Sequence, residues 1–348
     1  MNILWLTPGF AADEQDDACI PPLQLLARAL QQQGVAPTIL SLEYPFRSTP
    51  YTWHQLPIFP CNGQNRRWRK PFTFWKALDI GQQQLEQKRF VAIHSFWLGW
   101  GSSIGECLSK QSGIPHFTTL AGQDVLSSNW LHLKRLRPGR ENRLVALSNF
   151  QQRVFRQTTG LEAGQLIPWG VGDALAPTAL DWPARPIEVL GVGSLVPVKN
   201  WEKWLRVLAM AATGRPSIRA VLIGDGPQRP HLQQLAEQLG LGQQLHFAGA
   251  LPRSAVLATM QRSKILLHTA TFESFGFVYP EAAAQGCALI GTPVGIAPDM
   301  GAECAESDAA LAQLLQQRLE AMAFSPIQPA PTMDDTAARY KALWSGQR

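Results

Sequence analysis

The stretch TFESFGFVYPEAAAQG, residues 271–286, sets two carboxylates, Glu273 and Glu281, around an aromatic turn that contains glycine. An ionised acid beside Phe275, Phe277 and Tyr279 needs a partner, because burying an unpaired charge is costly. Pro280 suits the first turn of a helix, where the amide it lacks has no intrahelical partner. Gly286 suits the end of a helix. The spacing predicts one acid before a helix N-terminus and the other inside its first turn. The apolar run KILLHTA (264–270) leads in as a strand, so the unit reads strand, loop, helix.

The same grammar extends outward in both directions. Before it come IEVLGVG (187–193), a helix over 200–212, IRAVLIG (218–224), a helix over 228–239, LHFAG (245–249) and a helix over 253–262. The first half has its own series: NILWLT (2–7), the 3.6-period stretch PPLQLLARALQQQ (21–33) closed by Gly34, PTIL (37–40), FVAIHS (90–95), HFTTL (116–120) and RLVALS (143–148). Strands alternating with helices predict parallel sheets covered on both faces. Two series predict an α/β protein of two Rossmann-like domains. Prolines and glycines cluster in LIPWGVGDALAPTALDWPARP (166–186), which places the boundary there. The expected division is 1–167, 168–330 and a terminal helix segment 331–348, the helix lying over 333–344 after the proline-rich SPIQPAPT.

Composition agrees with this reading. A chain of 348 residues is long for one core, which favours two domains. With 45% hydrophobic and 16% charged residues it is an ordinary globular protein, which excludes a disordered chain. Five scattered cysteines have no metal-ligand spacing and read as reduced thiols of a cytoplasmic protein. The opening MNILWLTPGF lacks a basic segment and a long apolar run, so it reads as a strand and not a signal peptide. No segment approaches the roughly 20 apolar residues of a membrane span. The net charge of +5 is uneven: residues 1–167 hold 17 Lys/Arg against 11 Asp/Glu, and residues 168–348 hold 14 against 15. The basic half is expected to meet something anionic.

Two further strand-to-helix loops carry glycine. GVGSLVPVKN (191–200) offers Gly191, Gly193 and Lys199, a point charge suited to phosphate. It lacks the full dinucleotide fingerprint, since the third glycine is replaced by Val196. LIGDGPQ (222–228) adds Gly224 and Gly226. Loops at the carboxyl ends of strands in one open sheet mark one crevice. Anion-binding amides at a helix start, together with two carboxylates suited to hydroxyls, read as a site for a nucleotide diphosphate sugar.

The order GVGSLVPVKN, LIGDGPQ, HFAG, ESFGFVYPE and AAAQG resembles glycosyltransferase family 4, retaining enzymes of GT-B fold. The likeness covers most of the second half. The first half is more loosely similar, through Gly9, AIHSFWLG (92–99), TTLAGQD (118–124) and VALSNF (145–150). PWGVGD (168–173) resembles the family's interdomain turn, and the last helix resembles one that crosses back onto the first domain. The resemblance implies two domains facing a cleft. It also implies sugar transfer from a nucleotide diphosphate sugar, a co-substrate, to a saccharide or lipid-linked acceptor.

By the same resemblance Glu273 meets the donor hexose and Glu281 the nucleotide ribose. The segment Ser274, Phe275, Gly276 and Phe277 binds hydroxyls and diphosphate, Lys199 neutralises the leaving diphosphate, and Gly193, Ser194, Gly224 and Gly226 line the donor site. Gly9, His94 and Asp124 fall on the acceptor side. The family often has arginine at Ser194 and histidine at Ala121, and this chain has neither. No Asp-x-Asp motif is present, so no metal or other cofactor is expected. The alternatives are a GT-B nucleotide-sugar epimerase and a non-catalytic nucleotide-sugar-binding protein.

His94 ends an apolar strand and fits a core role as well as a catalytic one. Ser148 fits a helix N-cap. NRRWRKPFTFWKAL (65–78) interleaves Arg66, Arg67, Arg69 and Lys70 with Trp68, Phe72, Phe74 and Trp75, and HLKRLRPGR (132–140) is a second basic cluster. The first stretch fits either peripheral docking on an anionic membrane or a helix that buries Phe72 and Trp75. Nucleic acid is a poor fit beside a nucleotide-sugar crevice.

Overall fold

The structure, a computed structural model, describes residues 1–136, 139, 143–172, 181–214, 218–320 and 331–346. Arg137 and Arg140 of the second basic cluster, Asp173 of the PWGVGD turn and most of the proline-rich stretch lie outside the described residues. The chain divides into two compact units, Met1–Gly172 with Thr332–Arg348, and Asp173–Pro331.

The first unit holds strands β1 (Asn2–Gly9), β2 (Ala36–Tyr44), β3 (Tyr51–Trp53), β4 (Leu56–Pro60), β5 (Ala92–Phe96), β6 (His116–Thr119), β7 (Leu144–Ala146) and β8 (Gln165–Leu166). They form one sheet in the order β3-β4-β2-β1-β5-β6-β7-β8. Its helices are α1 (Pro21–Gln32), α2 (Lys70–Gln87), α3 (Trp100–Ser112), α4 (Trp130–Leu133) and α5 (Asn149–Thr159). Helix α1 starts on a proline and buries Leu23, Leu26, Ala27 and Leu30, the spacing of one helical face. Ser148 caps α5, its hydroxyl accepting from the Gln151 amide at 3.1 Å. Strand β1 lies mid-sheet, with Ile3, Leu4, Trp5 and Leu6 fully buried.

One pair departs from the parallel pattern. Strands β3 and β4 run antiparallel, and the turn between them holds His54 at φ 44° and Gln55 at φ 67°. Two left-handed residues in a two-residue hairpin are normally Asn-Gly or a similar pair. Here the turn lacks those residues, which hides the hairpin from a reading by sequence.

The second unit holds β9 (Ile187–Val192), β10 (Ala220–Ile223), β11 (Leu245–Gly249), β12 (Ser263–His268), β13 (Ala288–Gly291) and β14 (Glu303–Cys304). Its helices are α6 (Trp201–Ala212), α7 (Arg229–Gln238), α8 (Arg253–Gln261), α9 (Val278–Ala284) and α10 (Asp308–Glu320). The sheet order is β11-β10-β9-β12-β13-β14, and every pair is parallel. Counted along the chain this is 3-2-1-4-5-6, the doubly wound order. Helix α6 anchors two strand ends: the Trp204 indole donates to the Leu267 carbonyl at 3.0 Å and Trp201 to Ser194 at 2.9 Å.

The terminal helix α11 (Met333–Ser345) joins the first unit. Its Tyr340 hydroxyl meets Thr119 Oγ1 at 2.9 Å, and Lys341 donates to the Gln33 carbonyl at 2.8 Å. The first unit also runs past the boundary expected at 167. The Trp169 indole donates to Tyr340 at 3.2 Å and the Gly170 amide to Thr336 Oγ1 at 2.9 Å, which ties the connecting turn to α11.

Candidate active site

In the second unit the strand order reverses between β9 and β12, the place where doubly wound sheets take ligands at their carboxyl ends. The loop after β9 carries Lys199 and the loop after β12 carries Glu273. Backbone hydrogen bonds tie the loops together. The Thr271 amide donates to the Val198 carbonyl at 2.8 Å, the Leu195 amide to Asp225 at 2.9 Å, and the Ile296 amide to Phe275 at 2.7 Å.

The glycines follow from that crossing. Gly224 sits at φ 142°, and a Cβ there would lie 1.9 Å from the Gly193 carbonyl oxygen. Only glycine lets the two loops touch. A Cβ on Gly226 would likewise meet the Leu195 carbonyl at 2.6 Å. Loop-on-loop packing by itself therefore requires glycine at both positions. Ser194 is exposed at the loop tip.

Glu273 is the centre of a compact network. The Lys199 ammonium donates to its Oε1, and His268 Nε2 lies 2.8 Å from the same oxygen. The side chain is only 13% exposed. Burial pushes the carboxyl up, but the His268 hydrogen bond and the Lys199 charge outweigh burial and hold it at about 2. His268 is fully buried, and burial holds its pKa below the ordinary value although Glu273 pulls it up.

Gly276 stands at φ 82° and turns the chain into α9. Phe275 is buried, so its side chain belongs to the core, and Phe277 caps α9 while half-buried. Ser274 is also half-buried. Glu281 lies in the first turn of α9, as its spacing predicts. It is not free: Arg253 Nε, from the start of α8, donates to Glu281 Oε1 at 2.8 Å. Burial raises the Glu281 carboxyl against the pull of Arg253.

Two residues of this site escaped the sequence reading. In the sequence His268 reads as part of a strand and Arg253 as a helix start. The signal for His268 is a histidine closing an otherwise apolar strand five positions before an acid. Arg253 carries no local signal, because its partner is 28 residues away.

The acceptor-side expectations concern the first unit, where the strand order reverses between β1 and β5. Gly9 ends β1 there, and a Cβ on it would lie 3.1 Å from Cys19 Sγ. His94 is a correction. It is fully buried, Nε2 meets Thr119 Oγ1 at 2.8 Å, and Nδ1 accepts from the Trp344 indole at 3.1 Å. Burial holds its pKa well below the ordinary value. Both nitrogens serve the core, so His94 has none to offer an acceptor. The Asp124 carboxylate accepts from the amides of Leu98 (2.7 Å), Gly122 (3.0 Å) and Ala121 (3.3 Å). Burial raises its pKa to about 6 against those donors. It ties together the loops after β5 and β6, and Ala121 is part of that loop.

A cavity of about 440 Å³ lies in the first unit beside α3, and Leu98, whose amide meets Asp124, helps to line it. Among the described residues Lys110, His132, Lys134, Arg135 and Arg143 line it, with Glu106 as the acid.

Residues 176–304 match the sequence pattern of the family described as glycosyl transferases group 1. A 2-deoxystreptamine N-acetyl-D-glucosaminyltransferase of Streptomyces fradiae is 32% identical over 235 residues, covering 59% of this chain and 55% of that protein. The gpi3 subunit of a phosphatidylinositol N-acetylglucosaminyltransferase of Schizosaccharomyces pombe is 32% identical over 102 residues, covering 29% of this chain and 22% of the relative. The chain therefore spans about half or less of the curated relatives it matches. A sucrose-phosphate synthase from Thermosynechococcus elongatus superposes with a TM-score of 0.72 at 18% identity, covering 99% of this chain and 95% of that one. The chain has the GT-B fold of glycosyltransferases, and its second unit carries the group 1 glycosyl transferase pattern.

Proposed function

We propose that the protein is a retaining, family 4 glycosyltransferase that moves a sugar from a nucleotide diphosphate sugar to a saccharide or lipid-linked acceptor. The observation that carries this reading is the meeting of Lys199, Glu273 and His268 where the second sheet reverses its order. Lys199 is a cation for the departing diphosphate, Glu273 an acceptor for sugar hydroxyls, and Glu281 an acceptor for ribose. Catalysis then rests on orientation and electrostatic stabilisation, with no protein nucleophile. This scheme requires no metal, and added EDTA is expected to leave turnover unchanged.

The names of the relatives make a nucleotide-activated N-acetylglucosamine the first donor to try. In a thermal-shift panel of UDP-, GDP- and ADP-sugars, one donor is expected to stabilise the protein by about 2.7 kcal/mol at 100 times its Kd. The same donor should be consumed on addition of acceptor. Stabilisation by no nucleotide sugar sinks the reading. Conversion of the donor to its epimer without acceptor replaces it with the epimerase.

For the acceptor side, an anionic membrane surface is the partner the first unit fits. Trp68, Phe72 and Trp75 are 61%, 72% and 67% exposed, so the helix does not bury Phe72 and Trp75. Trp100, Trp130 and Leu131 are also exposed. Ring contacts join the two basic clusters into one surface: Phe74 meets Trp100 at 5.9 Å and Trp100 meets His132 at 6.2 Å. Burial lowers the His132 pKa, and the charges of Arg135 and Lys70 add to the effect, as expected where both clusters converge. The proposed association is peripheral, on the cytoplasmic face; no helix among the described residues is long and apolar enough to cross a membrane.

Each basic residue near an anionic surface contributes about 1 kcal/mol, within a Debye length of about 8 Å at physiological salt. Replacing Arg66, Arg67, Arg69 and Lys70 by glutamine is expected to abolish most sedimentation with phosphatidylglycerol vesicles and to leave nucleotide affinity unchanged. High salt should reproduce the mutant. A native protein that ignores such vesicles at low salt shows a soluble acceptor instead.

A further inference from the structure

The two fully buried histidines of this protein are used differently. His94 spends both ring nitrogens on the core, on Thr119 and Trp344. His268 spends one on Glu273, and its buried Nδ1 has no hydrogen-bond partner among the described residues. Its ring is wedged edge-on between Tyr279, with centroids 5.2 Å apart, and Trp201 at 6.5 Å. Packing therefore fixes the direction of Nε2.

We propose that His268 is a positioning residue: its Nε2–H holds Glu273 by Oε1, so that Oε2 stays presented to the donor when Lys199 turns to the diphosphate. This inference rests on the donor-site reading above. Both internal partners of Glu273 contact Oε1, and Oε2 has no recorded hydrogen bond among the described residues. Lys199 is a poor sole anchor for Glu273, because a bound diphosphate competes for the same ammonium. A neutral imidazole does not compete. An ionised carboxylate only accepts, so the single proton of neutral His268 resides on Nε2. Burial favours that neutral form. The ring thus supplies a donor that no anionic ligand draws away, and it keeps a buried carboxylate charged after its cation has left.

The test compares His268→Phe, which keeps a flat ring without a donor, with His268→Gln, whose amide restores one. Losing a hydrogen bond to a charged group is expected to lower kcat/KM roughly 10- to 100-fold in His268→Phe. The acid limb of its pH profile should move to higher pH, because Glu273 then protonates more readily. Affinity for the free nucleoside diphosphate should be unchanged, and His268→Gln should recover most of the loss. A His268→Phe enzyme with the native pH limb, or with equal loss of free-nucleotide affinity, overturns the proposal.

A second measurement is independent of activity. In the native protein without ligand, nitrogen-15 NMR is expected to show His268 neutral and protonated on Nε2 at neutral pH. The Glu273 carboxyl, followed by carbon-13 NMR, should titrate higher in His268→Phe. An unmoved Glu273 titration, or a proton on Nδ1, refutes the positioning role even if transfer is observed. Absence of any nucleotide-sugar binding in the native protein refutes instead the donor-site reading, and the two failures are told apart.

Discussion

Lys199→Ala is expected to lower kcat/KM by roughly 10²- to 10³-fold, about 2.7–4 kcal/mol, the range for removing one preorganised partner of developing negative charge. The effect should be large because Ser194 stands where the family this chain resembles often has arginine, and Arg253 is committed to Glu281. The loss should fall mainly on kcat, since the charge on the diphosphate grows as the bond to the sugar breaks. The same substitution has a signature without substrate. Glu273 titrates at about 2 in the folded protein against 4.5 ordinarily, so its contribution to stability is complete above 4.5 and is lost as pH falls toward 2. Without Lys199 the folded pKa rises toward the ordinary value, so the contribution is smaller and its loss is complete at higher pH. Acid unfolding followed by circular dichroism reads this directly. A Lys199→Ala enzyme with near-native turnover shows that another group carries the charge.

Glu281→Ala should cost about 3–5 kcal/mol of folding stability, because it leaves the Arg253 guanidinium partly buried and uncompensated. Arg253 Nη2 is already buried with no hydrogen-bond partner among the described residues, so the pair has little slack. Removing both members, in Arg253→Ala/Glu281→Ala, should recover most of the stability, a coupling that a double-mutant cycle measures. Ligand binding separates the two acids. Glu281→Gln should weaken free nucleotide and nucleotide sugar alike, whereas Glu273→Ala should weaken only the part that depends on the sugar. Equal loss of free-nucleotide affinity in both variants, by calorimetry, overturns that division. A Glu281→Ala protein as stable as the native one shows the Arg253 pair to be a surface contact.

What was legible in the chain was what nearest neighbours determine. Apolar strands alternating with amphipathic helices announce a parallel α/β sheet, because each period is set by local geometry. The glycine loops and the two acids were visible for the same reason: each sits a few residues after a strand, where a doubly wound sheet opens. The β3–β4 hairpin was not visible, since His54 and Gln55 take up a left-handed turn that tertiary contacts impose against propensity.

The partners of the acids were decided only by the fold. Glu273 was readable as a buried carboxylate in need of a cation, but Lys199 lies 74 residues away and meets it because β9 and β12 are neighbours at the reversal of the sheet. Arg253 reaches Glu281 across 28 residues in the same way. His94 lies in the middle of β5 and His268 closes β12, each within a largely apolar run, and nothing local shows which partner either one meets. Helix α11, some 250 residues from His94, supplies the indole that closes its second nitrogen. His268 has no such visitor and faces Glu273 instead. Sequence determines which groups need a partner, since burial and charge are properties of the residue and its run. Which partner arrives is set by strand order and helix return, and those are properties of the whole chain.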